Sequence, residues 1–298
     1  MLKKMVKYLY TRVSPKILVK YPFKKYIHHS PIPSSVKNFT VKDTDIKLVS
    51  DSSPIVRRVF WLGVAGYEEN ELSLFIKLCA ESRVIIEIGG NVGYFTVFGA
   101  QAKPNLDYRV YEPLPYNFDR LVENLKLNRL TGVKAVNAAV VGDSSVGSIK
   151  FFVPKFETYG AATGGFIEGA ESIDREVGKE LSVRAIGAPE VCEAADLIKI
   201  DVEGAEFEIL SSAEKEIIAS KPIILVEMRR GTSNLRGWIK NMIDLEGYGV
   251  FVLSEFDNNI HRLSSDQIPS IILQDVYGTR DVIMCPQEKH ELIRSFCV

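Results

Sequence analysis

Two groups of residues in this chain have types and spacings that suit chemistry. The first is Glu87-x-Gly89-Gly90-Asn91-x-Gly93, followed 19 residues later by Glu112. Glycines at such spacing let a backbone turn sharply and approach a ligand without a Cβ in the way. A carboxylate at the end of the next strand can accept both hydroxyls of a ribose, two oxygens facing two donors. Together they describe a grip on a nucleotide-bearing cofactor. The second group is Lys199-x-Asp201-x-Glu203, with Glu206 just beyond and Glu227 ending a later apolar run. Its acids can take a proton from a reacting hydroxyl, and a lysine inside a covered strand demands a partner, for which Asp201 or Glu227 is the natural choice.

Positioning these residues requires strands that end at one rim. From residue 80 short apolar strands alternate with helical stretches, the pattern of a doubly wound parallel sheet with helices on both faces. Strands are expected at 83–88, 108–113, 133–141, 148–154, 196–204, 222–228 and 248–254, with 281–286 closing the sheet as an antiparallel edge strand. Helices are expected after the glycine turn, over 117–130, over the stretch that begins at Ala205, and after residue 231. Right-handed crossovers then bring the carboxyl ends of the strands together, where ligands bind in such sheets. If 196–204 is one strand, Lys199, Asp201 and Glu203 share a face. Glu206 opens a helix, where an acid stabilises the dipole.

The spacing does not fit every nucleotide. A dinucleotide fold wants G-x-G-x-x-G, and this turn reads G-G-x-x-G preceded by E-x-G. That counts against a nicotinamide-dependent oxidoreductase, which stands as the alternative together with a non-catalytic module on the same sheet. The combination E-x-G-G-N-x-G with E-P at the second strand end resembles the class I S-adenosylmethionine-dependent methyltransferases. With GYEENE (66–71), YEPLPYNFDRLVENLKLN, DLIKIDVEGAEFEIL and PIILVEM, in that order over residues 60–228, the chain resembles the FkbM family of methyltransferases.

The resemblance implies a Rossmann-like, mostly parallel seven-stranded sheet, S-adenosyl-L-methionine as cofactor and O-methylation of a sugar, glycan or glycolipid-type hydroxyl. It assigns cofactor contacts to Glu87, Gly89, Gly90, Asn91, Gly93, Glu112, Asn137 and Asp201. Glu87 stands where the family usually has aspartate, and Gly90 where it has alanine. Ala138 falls beside the expected adenine position, and Trp61, Gly66, Tyr67 and Glu68 match the segment that precedes the sheet and covers the cofactor. For catalysis we take Asp201 as base or acceptor anchor, Lys199 as the residue that orients it, and Glu227 closing the fifth strand. The glycine-rich loop from Tyr159 to Gly169 suits a substrate lid. No metal is expected.

The chain has 298 residues, 46% of them hydrophobic and 25% charged, an ordinary globular composition. Its net charge of −1 hides an asymmetry: residues 1–42 hold ten of the 37 Lys/Arg and no acid, which leaves 27 cations against 38 acids in the rest, a net of −11. We read residues 1–42 as a basic helical arm and linker and 43–298 as the methyltransferase domain. In the arm, Leu2, Val6, Leu9 and Val13 fall on one helix face with Lys3, Lys4 and Lys7 beside it. It suits peripheral contact with an anionic membrane, or packing on the body or on the partner of a homodimer. The acidic body disfavours nucleic acid. Cys79, Cys192, Cys285 and Cys297 are scattered, and no apolar run approaches the ~20 residues of a span. A cytoplasmic location is expected, with or without attachment to the inner membrane face.

Overall fold

The computed structural model describes residues 30–142, 145, 147–155, 164–170 and 176–296. Residues 1–29 of the basic arm, residues 156–163 of the glycine-rich loop and Cys297 lie outside them.

The described chain begins with a hairpin of β1 (Asn38–Thr40) and β2 (Lys47–Val49), which straddles position 42. Helix α1 (Pro54–Leu62) starts where Ser53 Oγ accepts from Val56 N at 3.0 Å and Pro54 supplies a preset first turn. Helix α2 (Glu69–Glu81) follows and leads into the main sheet.

Five strands of that sheet run parallel: β3 (Val84–Ile88), β4 (Asp107–Tyr111), β5 (Lys134–Val136), β10 (Leu197–Ile200) and β11 (Ile223–Glu227). β3, β10 and β11, covered on both faces, are runs of β-branched and apolar residues interrupted only by Glu87 and Lys199 and closed by Glu227. Their side chains alternate between two cores. Ile86, Ile88, Ile198 and Ile200 point into one, and Ile85, Leu197 and Leu225 into the other. Helix α3 (Tyr94–Gly99) and helix α4 (Pro115–Leu127) supply Phe95, Phe98 and Leu121 to the second core. The first is closed by α5 (Ala188–Cys192), α6 (Glu206–Ser212), α7 (Glu214–Ser220) and α8 (Ser233–Glu246) through Val191, Ile209, Ile217, Leu235 and Ile239.

The sheet has eight strands rather than seven, in the order β13-β12-β14-β11-β10-β3-β4-β5, with β12 at Tyr248–Leu253, β13 at Ile260–Leu263 and β14 at Asp281–Pro286. β13, which contains His261, was not expected. β14 is antiparallel, as expected, but it lies between β11 and β12 instead of at an edge. Its residues explain this: Val282 and Met284 face one core, Ile283 and Cys285 the other, and an edge strand has no use for burial on both sides.

The expected third strand over 133–141 is two strands. At Asn137 the chain leaves the main sheet, and β6 (Ala139–Val141) joins a second sheet of order β6-β9-β7-β8 with β7 (Ser148–Pro154), β8 (Phe166–Ile167) and β9 (Val177–Gly187). The helix that opens at Glu206 breaks at Ala213, because the Ser211 and Ser212 hydroxyls bond back to the carbonyls of Glu208 and Ile209 and loosen the turn.

Candidate functional site

A cleft of about 340 Å³ opens at the carboxyl ends of β3, β4, β10 and β11. The turn after β3 forms its floor. Gly89 and Gly90 both donate their N–H groups to Tyr111 O, at 2.9 and 3.0 Å, and Gly93 N closes the turn on Gly90 O at 2.8 Å. Gly89 has φ +92°, and a Cβ there would stand 1.9 Å from the Asp201 carbonyl oxygen. Only glycine lets the turn lie so close to the end of β10. Gly90 and Gly93 are packing positions, since a Cβ on Gly90 would meet Val110 at 2.3 Å and one on Gly93 would meet Leu121 at 3.1 Å.

Glu112 lies on the cleft wall with 4% of its surface exposed. Its Oε2 accepts from Asn91 N and its Oε1 from Leu114 N, both at 2.8 Å. Burial pushes its pKa up to about 7, against those backbone bonds and a side-chain bond from Asn117. With three of about four lone-pair sites taken, the carboxylate keeps one for a ligand hydroxyl. Asn137 does not line the cleft; its Nδ2 donates to Glu112 O and Pro113 O at 2.8 and 3.1 Å and so braces the turn that carries Glu112. Ala138, beside it, does line the cleft.

Glu87 is likewise absent from the wall. It points into the second core, where Thr96 Oγ1 and Tyr108 Oη donate to its Oε2 at 2.7 and 2.6 Å. Burial raises its pKa against those two bonds. It ties α3 to β3 and β4, beneath the glycine turn rather than beside a ligand.

Asp201 sits at the mouth with its side chain 40% exposed. Behind it Lys199 is buried, its Nζ 3.6 Å from Asp201 Oδ2, 3.4 Å from Glu71 Oε1 and 4.5 Å from the centre of the Phe95 ring. Burial pulls the ammonium pKa down, but Glu71, Asp201, Glu68 and Asp281 outweigh it and hold it well above its usual value. The partner from outside the motif is therefore Glu71 of α2, and Glu227 is not a partner. Burial raises Glu71 to about 7 and Glu68 to about 8. Asp281 lies in the same cluster, beside Glu71, its carboxyl pushed well up by burial and by the Glu71 charge.

Lys199, Asp201 and Glu203 do not share a face, because β10 ends at Ile200 and Glu203 has φ +59°. Glu203 Oε2 instead accepts from Arg229 at 2.7 Å. Glu227 lines the cleft, 3.3 Å from Arg229 Nε and accepting from Arg280 at 3.2 Å; burial and the nearby Asp201 raise it to about 8 despite Arg229. Glu206 is spent on its own helix start, accepting from Gly204 N at 3.0 Å.

Of the segment before the sheet, Tyr67 and Glu68 reach the cleft; Trp61 does not, its indole donating to Ser30 O at 3.0 Å. Gly165 and Ile167, at the end of the glycine-rich loop, line it as well. Sequence reasoning missed Glu71, Glu255, Gln274, Thr279, Arg280 and Asp281 as wall residues. Glu71 stands inside the quoted GYEENE stretch and carried a signal. The others come from a late segment without a motif. Among the described residues no group of three or more His, Cys, Asp or Glu is placed to hold a metal ion.

A parallel sheet with a glycine turn after its first strand, a buried acid after its second and a lysine-backed aspartate after its fourth has the construction of a class I methyltransferase. The methyltransferase FkbM domain matches residues 87–249, more than half of the chain, and the chain belongs to that family. It is an S-adenosylmethionine-dependent methyltransferase. It is 27% identical over 193 residues to Methyltransferase sdnD of Sordaria araneosa, covering 56% of this chain and 73% of that one. To Methyltransferase 1 of Beauveria bassiana it is 23% identical over 184 residues, with the same coverages. Among solved structures it is similar to methyltransferase FkbM from Methylobacillus flagellatus, with a TM-score of 0.43, 13% identity, and 69% of this chain but 44% of that one covered. It is also similar to an O-methyltransferase from Bacillus cereus in complex with SAH, with a TM-score of 0.40, 14% identity and coverages of 72% and 78%.

The cleft fits this cofactor by its own features. The Gly89–Asn91 turn lines it together with Ala138 and Ile88, and the buried Glu112 carboxylate, held by Asn91 N and Leu114 N, stands on the same wall with acceptor capacity left for a ribose hydroxyl.

Proposed function

We propose that the chain transfers a methyl group to a hydroxyl of a sugar, glycan or glycolipid-type acceptor, with Asp201 receiving the hydroxyl proton. The carrying observation is that the Gly89 backbone lies against the Asp201 backbone, so the cofactor turn and the acid share one wall. Bound S-adenosylmethionine supplies an electrophilic methyl group; the protein's work is to hold an acceptor oxygen ~3 Å from it and in line. Glu112 and the Asn91 turn hold the nucleoside end. Lys199, fixed by Glu71, pairs with Asp201 and orients it toward the mouth. Glu227, near 8, is poised to hold or release a proton beside it.

The test begins with calorimetric titration of S-adenosylmethionine, SAH and NAD. Binding of the first two alone supports the cofactor assignment, and binding of NAD alone overturns it. In a radiolabelled-methyl assay over a panel of hydroxylated acceptors, Asp201→Asn should leave SAH affinity within about twofold and slow turnover 10²-fold or more, the usual size of a lost general base. Unchanged turnover removes Asp201 from that role. The basic arm belongs to the same reading as a peripheral contact with anionic lipid, supported by its ten cations without an acid. Equal flotation of the full chain and a chain lacking residues 1–29 on anionic vesicles would rule that out.

A further inference from the structure

Glu68 stands immediately before α2 with φ +44°, a left-handed backbone that residues with side chains rarely adopt. Tyr67 fixes this segment in place. Its ring meets that of Tyr94, the first residue of α3, edge to face at 5.7 Å, and Tyr94 Oη donates to Tyr67 O at 3.4 Å. The residue that follows the glycine turn thus braces the segment that carries Glu68. Tyr67, Glu68 and the turn residues Gly89 and Asn91 line one cleft. Along its rim the strands run in the order β10, β3, β4, β5. Glu112 follows β4 and the glycine turn follows β3. The charges that act on Glu68 come from Lys199 and Asp201 of the β10 segment, from Asp281 at the start of β14 and from Glu71 on α2. Glu68 therefore belongs to the β10 side of the turn and Glu112 to the β4 side.

S-adenosylmethionine carries two cationic centres, its sulfonium and the α-ammonium of its amino-acid part, against one carboxylate. With the ribose at Glu112 and the adenine toward Ala138, beyond β5, the amino-acid part extends the other way, over the turn toward β10. The motif's own acid cannot meet the ammonium there, because Glu87 points into the second core. Neighbouring carboxylates are engaged. Asp201 and Glu71 share Lys199, Glu227 lies against Arg229 and Arg280, and Asp281 is bonded to Glu71. Glu68 is largely buried and accepts from the Tyr67 hydroxyl, and among the described residues no ion pair joins it to a cation within 4.0 Å. A carboxylate in such a place is costly until a cation meets it. We propose that Glu68 receives the α-ammonium group of the cofactor's amino-acid part, a contact that the motif alone would have given to Glu87. This rests on the cofactor assignment and is independent of the acceptor.

The test is calorimetric, uses the full chain and needs no turnover. Three ligands share the nucleoside: SAH, S-adenosyl-3-thiopropylamine, which keeps the amine and lacks the carboxylate, and methylthioadenosine, which lacks both. Glu68→Gln keeps the shape of the side chain and removes its charge. It should weaken the first two ligands about tenfold or more, the lower range of a hydrogen bond to a charged group, and leave methylthioadenosine within about twofold. A second measurement needs no variant. Titrated at pH 7 in buffers of different ionisation enthalpy, SAH and the amine should each release about 0.5–1 proton more than methylthioadenosine, because the free carboxyl is held near 8 and has to ionise to meet the ammonium. Any proton moved at Glu112 by the ribose is common to all three ligands and cancels. Comparable weakening of all three by Glu68→Gln, undiminished SAH binding, or equal proton release would overturn the proposal and leave the cofactor assignment standing. Binding of none of the three by the unaltered protein would overturn the assignment and the proposal with it.

Discussion

Glu112 does two jobs with one carboxylate. Its two oxygens accept the backbone N–H groups of Asn91 and Leu114, so it joins the glycine turn to the start of α4 before any ligand arrives. With Asn117 also bonded to it, one acceptor site remains on a side chain that lines the cleft. Replacing it by alanine removes the ribose acceptor and leaves two backbone donors unpaired. Glu112→Ala should therefore weaken SAH binding by about 1–3 kcal/mol, read by calorimetry, and lower the melting temperature of the ligand-free protein as well. A variant that lost stability but kept full SAH affinity would show the carboxylate to be a brace only. Glu87 is the instructive contrast. In the motif it stands two residues before Gly89 and reads as a ligand contact, yet strand alternation turns it to the opposite face, where Thr96 and Tyr108 occupy it. The period of two was visible in the sequence; the donors waiting on that face were not.

At the scale of elements, the site depends on how closely β3 and β10 approach beyond their last paired residues. The ladder pairs Ile88 with Ile200, and the next residue of each chain, Gly89 and Asp201, brings backbone against backbone. Gly89→Ala has no room and the wrong φ. It should destabilise the fold by about 2 kcal/mol or more and abolish SAH binding, measured by denaturant unfolding and calorimetry. Near-normal stability would mean that β10 can retreat. The parallel strands β3 and β10 that carry these turns were legible, because doubly covered strands are written as apolar runs, broken here only by Glu87 and Lys199. Glu112 and Asp201 were legible because each directly follows a strand-forming stretch. Other parts of the wall were hidden. Asp281 begins an apolar strand like any other, and only the antiparallel insertion of β14 beside β11 brings it to Glu71 and Lys199. Glu203 looked aligned with Asp201 until a positive φ turned it toward Arg229. Long-range pairing and left-handed turns leave little trace in local periodicity.

The whole molecule gathers buried acids at one rim. Glu68 and Glu227 are held near 8 and Glu71 and Glu112 near 7, all by burial, against the ordinary 4.5. Between about pH 4.5 and 8 the folded state thus binds more protons than the unfolded chain. Stability from these groups is fully present at the acid end and is lost as pH rises through 7 to 8. The ligand-free protein should melt at a higher temperature at pH 5.5 than at pH 8, a difference that Glu68→Gln together with Glu227→Gln should reduce. A flat profile over that window would show that the cations around the cleft already compensate the carboxylates.

The internal position of β14 has a consequence for how the chain is made. Residues 281–286 separate β11 from β12, yet they follow both in synthesis. Until they leave the ribosome, β11 and the β12–β13 hairpin present two unsatisfied edges with nothing between them. At 5–20 residues per second, the 59 residues from the end of β11 to the end of β14 leave the β11 edge open for about 3–12 s. The nascent chain can already hold its glycine turn and Glu112 during that interval, while Asp281 and the late stretch of the cleft wall are still to come.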